Sequence, residues 1–99
     1  MNERTRILIV GREQEYTDQI IGILESVGCI VTGTLSDGVA LDLVASSDYE
    51  VLLIADEVSH SDGRHVATEA RRKRPSITVV MVQNPESVLT QLRQAGVRI

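Results

Sequence analysis

A continuous apolar run in the middle of the chain constrains the fold more than any other feature of the sequence. Residues 51–55 are Val-Leu-Leu-Ile-Ala, and the acids Asp56 and Glu57 follow directly. A run that is apolar at every position is typical of a strand buried on both faces of a parallel sheet. Functional groups of such sheets lie just beyond the carboxyl ends of the central strands. The sequence therefore predicts a site beside Ala55, Asp56 and Glu57.

Shorter apolar runs alternate with helical stretches along the rest of the chain. The predicted strands are residues 7–10, 29–34, 51–55, 77–82 and, where the chain stops, 97–99. The predicted helices, with apolar residues at helical spacing, are 14–27, 39–46, 64–73 and 85–95. This βαβαβαβαβ order favours one α/β domain over residues 1–99, with right-handed crossovers and helices on both faces of a parallel sheet.

Turn and cap residues separate these elements. Gly28 and Gly96 stand where a glycine commonly ends a helix, and Asn84 followed by Pro85 is typical of a helix start. Residues 36–38 are predicted to form a turn with capping residues, and residues 56–62 a polar loop. On this reading Gly38 and Gly63 are turn residues.

Composition and charge narrow the possible functions. A formal net charge of -4 opposes the phosphate neutralisation on which broad nucleic-acid binding rests, and two tyrosines cannot build a base-stacking platform. No apolar run is long enough to span a bilayer, and no signal peptide precedes the first strand. Cys29 is the single cysteine, so no internal disulfide forms, and it is predicted to be a buried apolar residue. We expect a cytoplasmic protein without nucleic-acid or membrane contacts.

Several short segments, in their order and spacing, resemble the receiver domain of bacterial two-component response regulators. They are residues 7–10 with Glu13, and residues 24–28, 37–41, 49–54, 61–63 and 92–96. The resemblance implies a flavodoxin-like (CheY-like) three-layer fold with sheet order 2-1-3-4-5, here with the last helix missing. It also implies phosphorelay signal transduction, in which a histidine kinase phosphorylates an aspartate at the end of the third strand.

The phosphorylation site that this resemblance implies is altered at its metal-binding and acceptor positions. Phosphoryl transfer needs a carboxylate nucleophile, and further carboxylates to hold Mg2+. The acidic pair of the family falls on Gly11 and Arg12, so a guanidinium stands where Mg2+ would bind, and Glu13 keeps one carboxylate nearby. The phosphoacceptor position falls on Ala55.

The groups that would hold the transferred phosphoryl are altered as well. The family uses a hydroxyl residue after the fourth strand and a lysine after the fifth. The hydroxyl position falls on Gln83, and the chain ends before the lysine. Lys73, the only lysine, lies on an earlier helix. The resemblance therefore implies a pseudo-receiver that is not phosphorylated, is not an enzyme and needs no cofactor or metal.

Two other functions stay open. If the loop has lost one residue, Asp56 becomes the acceptor of an active receiver with Mg2+, although a slip of one residue turns a strand side chain to the opposite face. A small-ligand domain of the same fold would bind between the first and third strands, but no glycine-rich loop supports it.

For the interaction module, the predicted partner is a signalling protein. The predicted contact surfaces are the loops at the strand ends (Arg12 and Glu13, Asp56 and Glu57, Gln83 and Asn84) and the helix over residues 85–95 with the adjoining strand. The missing last helix predicts an exposed apolar area beside residues 14–27, and hence a homodimer or a covering segment.

The remaining candidate features have simpler explanations. Residues 71–74 could bind nucleic acid, but cations at a solvated helix end are more typical. His60 and His65 lie near acids, yet they lack the spacing of a metal-ligand set, and we expect them to be exposed. Ser59 and Ser61 could be kinase targets, but serines are common in loops.

Overall fold

A four-stranded parallel sheet forms the centre of the protein. The structure, a computed structural model, describes residues 4–99. The strands are β1 (Arg6–Val10), β2 (Ile30–Thr34), β3 (Val51–Ile54) and β4 (Thr78–Met81). The helices are α1 (Gln14–Ser26), α2 (Asp37–Ser46), α3 (His60–Lys73) and α4 (Val88–Gln94), with a 3-10 turn at Pro85–Ser87. None of these helices combines the length and apolar character needed to cross a membrane.

The two central strands are those whose sequences are apolar throughout. The sheet order is β2-β1-β3-β4, and every residue of β3 is buried, as are the last four of β1. Ile7 pairs with Val51 and Val10 pairs with Ile54, so both strands end at the same level. The predicted central strand and the flavodoxin-like α/β architecture are confirmed, and the loops after β1 and β3 start side by side.

The four helices cover the sheet in pairs. One core cluster joins β1 and β3 to α2 and α3 through residues such as Val44 and Val66. The other joins the same strands to α1 and α4, where Leu24 and Leu92 are fully buried. The expectation that α1 alone lies on this face was wrong, because α4 packs there and covers part of its apolar surface. Val27 and Ile30, beside the end of α1, remain exposed, and the homodimer or covering segment stays a prediction.

The predicted fifth strand is also absent from the part of the chain that the structure describes. Gly96, with a φ of 86°, ends α4, and the Val97 N–H donates to the Leu92 carbonyl at 2.9 Å. The chain then turns back toward β1, where the Thr5 hydroxyl donates to the Arg98 carbonyl at 2.8 Å. The observed order is therefore 2-1-3-4, and β4 is an edge strand.

Two helices begin earlier than predicted. The Ser36 side chain accepts from Val39 N–H, so α2 starts at Asp37, and the Ser59 side chain accepts from Asp62 N–H, so α3 starts at His60. Gly38 and Gly63 are consequently helical, and their assignment as turn residues was wrong. The shift brings the acids at positions 37 and 62 into the first turns of their helices.

Candidate functional site

An arginine with two acidic partners occupies the carboxyl end of the sheet. Both Arg12 Nη atoms bind the Asp37 carboxylate, at 2.8 and 3.0 Å, and Nη2 also donates to Asp62 Oδ2 at 3.2 Å. Nη1 donates further to the Gly11 carbonyl at 3.1 Å. We call Arg12, Asp37 and Asp62 the Arg12 cluster. The hydrogen bond with Asp37, followed by that with Asp62, raises the pKa of Arg12 above its ordinary value despite partial burial.

Helix geometry places both carboxylates of this cluster. Asp37 is the first residue of α2, and Asp62 lies in the first turn of α3. The N-terminus of a helix carries partial positive charge, which favours an acid in the first turn. Two helix starts therefore direct acids toward the loop after β1, and the guanidinium of Arg12 bridges them.

Glu57 joins the loop after β3 to the loop after β1. Its Oε1 accepts from Arg12 N–H at 2.8 Å and from Glu13 N–H at 3.1 Å. Glu13 is the N-cap residue of α1, and its side chain makes no capping hydrogen bond. The carboxylate of Glu57 thus binds N–H groups at the entry to α1, which favours negative charge there.

Asp56 lies beyond the end of β3, with its side chain exposed to solvent. Its carboxylate accepts a hydrogen bond from the hydroxyl of Tyr16 on α1. Partial burial, followed by this bond and the charge of Asp56, raises the pKa of Tyr16 to about 12. Sequence reasoning missed Tyr16, since no residue pattern links it to position 56.

Ala55, the position that the family resemblance equates with the phosphoacceptor, belongs to the core. Its exposure is 2%, and its methyl group lies in the cluster beneath α2 and α3. The Ala55 N–H donates to the Val10 carbonyl at 3.0 Å, which extends the sheet by one residue. This position therefore presents a packed methyl group and no nucleophile.

Gly11 allows α1 to approach the sheet. A Cβ at this position would lie 2.3 Å from Thr17 Oγ1 and 2.9 Å from Glu57 Oε1. Thr17 is 1% exposed, and its hydroxyl has no hydrogen-bond partner among the described residues. The absence of a side chain at Gly11 is thus a packing requirement.

The residues after β4 form hydrogen bonds within their own segment. The Gln83 N–H donates to Gln91 Oε1 at 2.9 Å. Asn84 caps the turn that contains Pro85, because its side-chain oxygen accepts from Ser87 N–H at 2.9 Å. The predicted helix start at Asn84 is confirmed, and these exposed residues stand apart from the Arg12 cluster.

The residues present do not fit Mg2+. Magnesium requires several oxygen ligands with free lone pairs in near-octahedral geometry. In the Arg12 cluster both carboxylates are bound to a guanidinium, and Glu57 is bound to backbone N–H groups. Within residues 4–99 no group of three or more His, Cys, Asp or Glu side chains is placed to hold a metal ion.

The other candidate features occupy ordinary positions. His60 and His65 are exposed on α3, and the basic residues 71–73 form its exposed last turn. Cys29 is buried, as predicted, and burial raises the pKa of its thiol. Of the Arg12 cluster, sequence reasoning named Arg12 but missed the partnership with Asp37 and Asp62, although both acids lie in segments that carry the family resemblance.

Comparison with solved structures identifies the fold. A CheY-like response regulator receiver domain from Methanospirillum hungatei JF-1 superposes with a TM-score of 0.72 at 22% identity, covering 96% of this chain and 78% of that one. The MaeR response regulator bound to beryllium trifluoride superposes with a TM-score of 0.67 at 22% identity, covering 94% of this chain and 80% of that one. This chain has the receiver-domain fold. No family model and no curated protein matches it.

The receiver fold is thus present, with differences at the β4 edge and on the face of the sheet that carries α1. Its sheet lacks a fifth strand over the described residues, and α4 packs beside α1. At 22% identity the likeness shows the fold alone.

Proposed function

We propose that this protein is a receiver-like signalling domain that acts through contacts with a protein partner and does not receive a phosphoryl group. The observation that carries this proposal is the bidentate ion pair between Arg12 and Asp37, completed by Asp62. The guanidinium neutralises the carboxylates beside the end of β3. A permanent cation thus takes the role that a phosphorylatable receiver gives to a metal ion.

The acceptor positions support the same proposal. Ala55 offers a buried methyl group, which cannot attack phosphorus. Asp56 has a carboxylate, but it accepts a hydrogen bond from Tyr16. A phosphorylated Asp56 would need cations around three phosphoryl oxygens. The nearby guanidinium is already bound by two carboxylates, so the active-receiver alternative has little support.

The small-ligand alternative has less support. An open cavity of about 450 Å³ lies beside Ala55, between Asp56, His60 and Met81. It does not adjoin Gly11, which is packed against Thr17. Ligand sites in this fold class use the loops after the first and third strands, and here Glu57 ties those loops together.

The surfaces proposed for partner contact are exposed. Glu13, Asp56 and Glu57 project from the loops at the strand ends. Gln83 and Asn84 form a second exposed edge at the start of the last helical segment. Since the Arg12 cluster and Glu57 fix the first set of loops, we propose that the domain offers its partner one constant surface.

Treatment with a small phosphodonor tests this proposal. The protein is incubated with acetyl phosphate and Mg2+, beside a phosphorylatable receiver as positive control, and intact mass is measured. We expect no phosphoryl adduct on this protein. An acid-labile adduct on the wild type that is lost in Asp56→Asn would show that Asp56 is an active acceptor.

A further inference from the structure

The outer edge of β4 lacks a neighbouring strand in the part of the sheet that the structure describes. The Thr78 N–H donates to the Glu50 carbonyl at 3.0 Å, and the Val82 N–H donates to the Ile54 carbonyl at 2.9 Å. Backbone groups alternate in direction along a strand. The N–H and C=O groups of Val79 and Met81 therefore point away from β3.

One side chain already binds part of this edge in the way that a strand would. Gln91 on α4 donates from Nε2 to the Met81 carbonyl at 2.7 Å and accepts from Gln83 N–H at 2.9 Å. Its amide therefore makes the two bonds that the N–H and C=O of one residue in a neighbouring parallel strand would make. Both backbone groups of Val79 and the N–H of Met81 remain for another partner.

A groove with apolar residues along its β4 side runs beside the free part of the edge. Val79 and Met81 project toward α3, and Met81 is 41% exposed. Ala67 of α3 lines the groove opposite them, and the groove encloses about 330 Å³. A strand added to β4 would place alternate side chains in this groove.

The far wall of the groove is positively charged. Arg64 and Arg71 are exposed on the stripe of α3 that faces β4, and neither has a carboxylate partner among residues 4–99. By contrast, Arg72 pairs with Glu69, and Arg74 pairs with Asp48. The groove thus presents two free cations on a protein whose net charge is -4.

We propose that an extended segment of a partner protein adds to β4 as a fifth strand, and that its side chains facing α3, at every second position, include both apolar and acidic ones. Its backbone binds the free groups of Val79 and Met81, its apolar side chains fill the groove, and its acids pair with Arg64 and Arg71. Charge disfavours a second copy of this chain, because edge-to-edge pairing about a twofold axis would bring the arginines of both copies together. The inference rests on the proposed interaction role and names the class of partner.

Selection from a random-peptide display library tests this inference on the intact protein. We expect enriched peptides to carry both acidic and apolar residues at every second position, which is the set that faces α3. Bound peptide should shift the NMR amide signals of residues 64, 71, 79 and 81.

In the double variant Arg64→Glu/Arg71→Glu, the affinity for such a peptide should fall about tenfold, and renewed selection should enrich basic peptides. Arg93→Glu reverses a charge at an exposed position of α4, away from the groove. It serves as the control and should leave the affinity for the peptide unchanged.

A second variant tests the backbone contribution. Val79→Pro removes one outward N–H and leaves the bonds from β4 to β3 in place, since proline is tolerated at sheet edges. We expect it to weaken peptide binding while circular dichroism shows a folded protein. Failure to enrich any peptide, selection indifferent to the arginine reversals, or a wild-type dimer that Val79→Pro dissociates would each overturn the inference. None of these results depends on the phosphodonor assay, so the two proposals fail separately.

Discussion

The guanidinium of Arg12 donates hydrogen bonds to the Gly11 carbonyl and to the carboxylates of Asp37 and Asp62. It is about one-third exposed, so solvent screening limits the value of its ion pairs. Its planar geometry still allows two parallel bonds to Asp37, which a lysine could not make. At the residue scale, then, this side chain holds the loop after β1 against the starts of α2 and α3.

Replacing Arg12 by methionine should destabilise the protein by about 1 kcal/mol, because Asp37 and Asp62 are then left facing each other without a cation. Arg12→Lys should recover part of the loss. The free energy of unfolding is measured by urea titration followed by circular dichroism, with Arg93→Met as control for loss of an exposed cation. Equal stability in the two methionine variants would contradict the role assigned to the Arg12 cluster.

Tyr16 should make stability depend on alkaline pH. Its pKa is raised from 10.0 to about 12. Between these two pH values the folded protein therefore keeps the phenolic proton, while the unfolded chain has lost it. The contribution is complete below pH 10 and declines as pH rises toward about 12. Absorbance titration of the Tyr49→Phe variant, in which Tyr16 is the remaining tyrosine, should give a midpoint near that value. A midpoint at the ordinary tyrosine pKa would show that Tyr16 is neither buried nor bound to Asp56 in solution as described.

At the scale of secondary-structure elements, two glycines near α1 should respond oppositely to alanine. A Cβ at Gly11 would overlap Thr17 Oγ1, whereas a Cβ at Gly22, inside α1, meets no atom within 4 Å. Gly11→Ala should therefore lower the free energy of unfolding by about 1 to 3 kcal/mol. Gly22→Ala should raise it by up to about 1 kcal/mol. Thermal unfolding of both variants measures the difference.

A rescue experiment separates overlap from a general loss of backbone freedom. If the contact with Thr17 causes the cost, Gly11→Ala/Thr17→Ala should be more stable than the sum of the two single changes allows. Strict additivity would mean that Gly11 is required for another reason. The double variant also removes the unpartnered hydroxyl of Thr17.

At the scale of the whole molecule, α4 completes the core on the α1 side of the sheet. Leu92 is fully buried, with an exposure of 0%, and it shares a core cluster with Leu24. Leu92→Ala should cost about 2 to 5 kcal/mol, the range for a buried leucine. Leu89 is half-buried on the same helix, so Leu89→Ala should lower the free energy of unfolding clearly less. Comparable small losses at both positions would indicate that α4 does not pack as described.

The position of α4 also explains why β4 is open. In the predicted arrangement a fifth strand would cover the edge of β4. Here the last helical segment returns on the α1 side, and residues 97–99 continue toward β1. The freed edge, with the groove beside α3, is where we infer that a partner strand binds.

Local sequence was sufficient to predict the four strands and four helices that the structure shows, although it misplaced the starts of α2 and α3 and added a fifth strand. Runs such as residues 7–10 and 51–54 are apolar on both faces, so they can only be buried in the middle of a sheet covered on two sides. Gly28 and Gly96 end α1 and α4 with positive φ, as their positions predicted. These features depend on neighbouring residues alone, which is why the receiver fold could be predicted from the order of its parts.

Tertiary contacts decided the rest. The family resemblance implied that Arg12 replaces an acid, but the choice of Asp37 and Asp62 as its partners required two helix starts, 25 and 50 residues away, to meet at one loop. The side of the sheet on which α4 packs also depended on contacts between residues distant in sequence, such as Leu24 and Leu92 in one core cluster. Periodicity shows that a helix has an apolar face, while the surface that buries this face is fixed only when the whole chain is assembled.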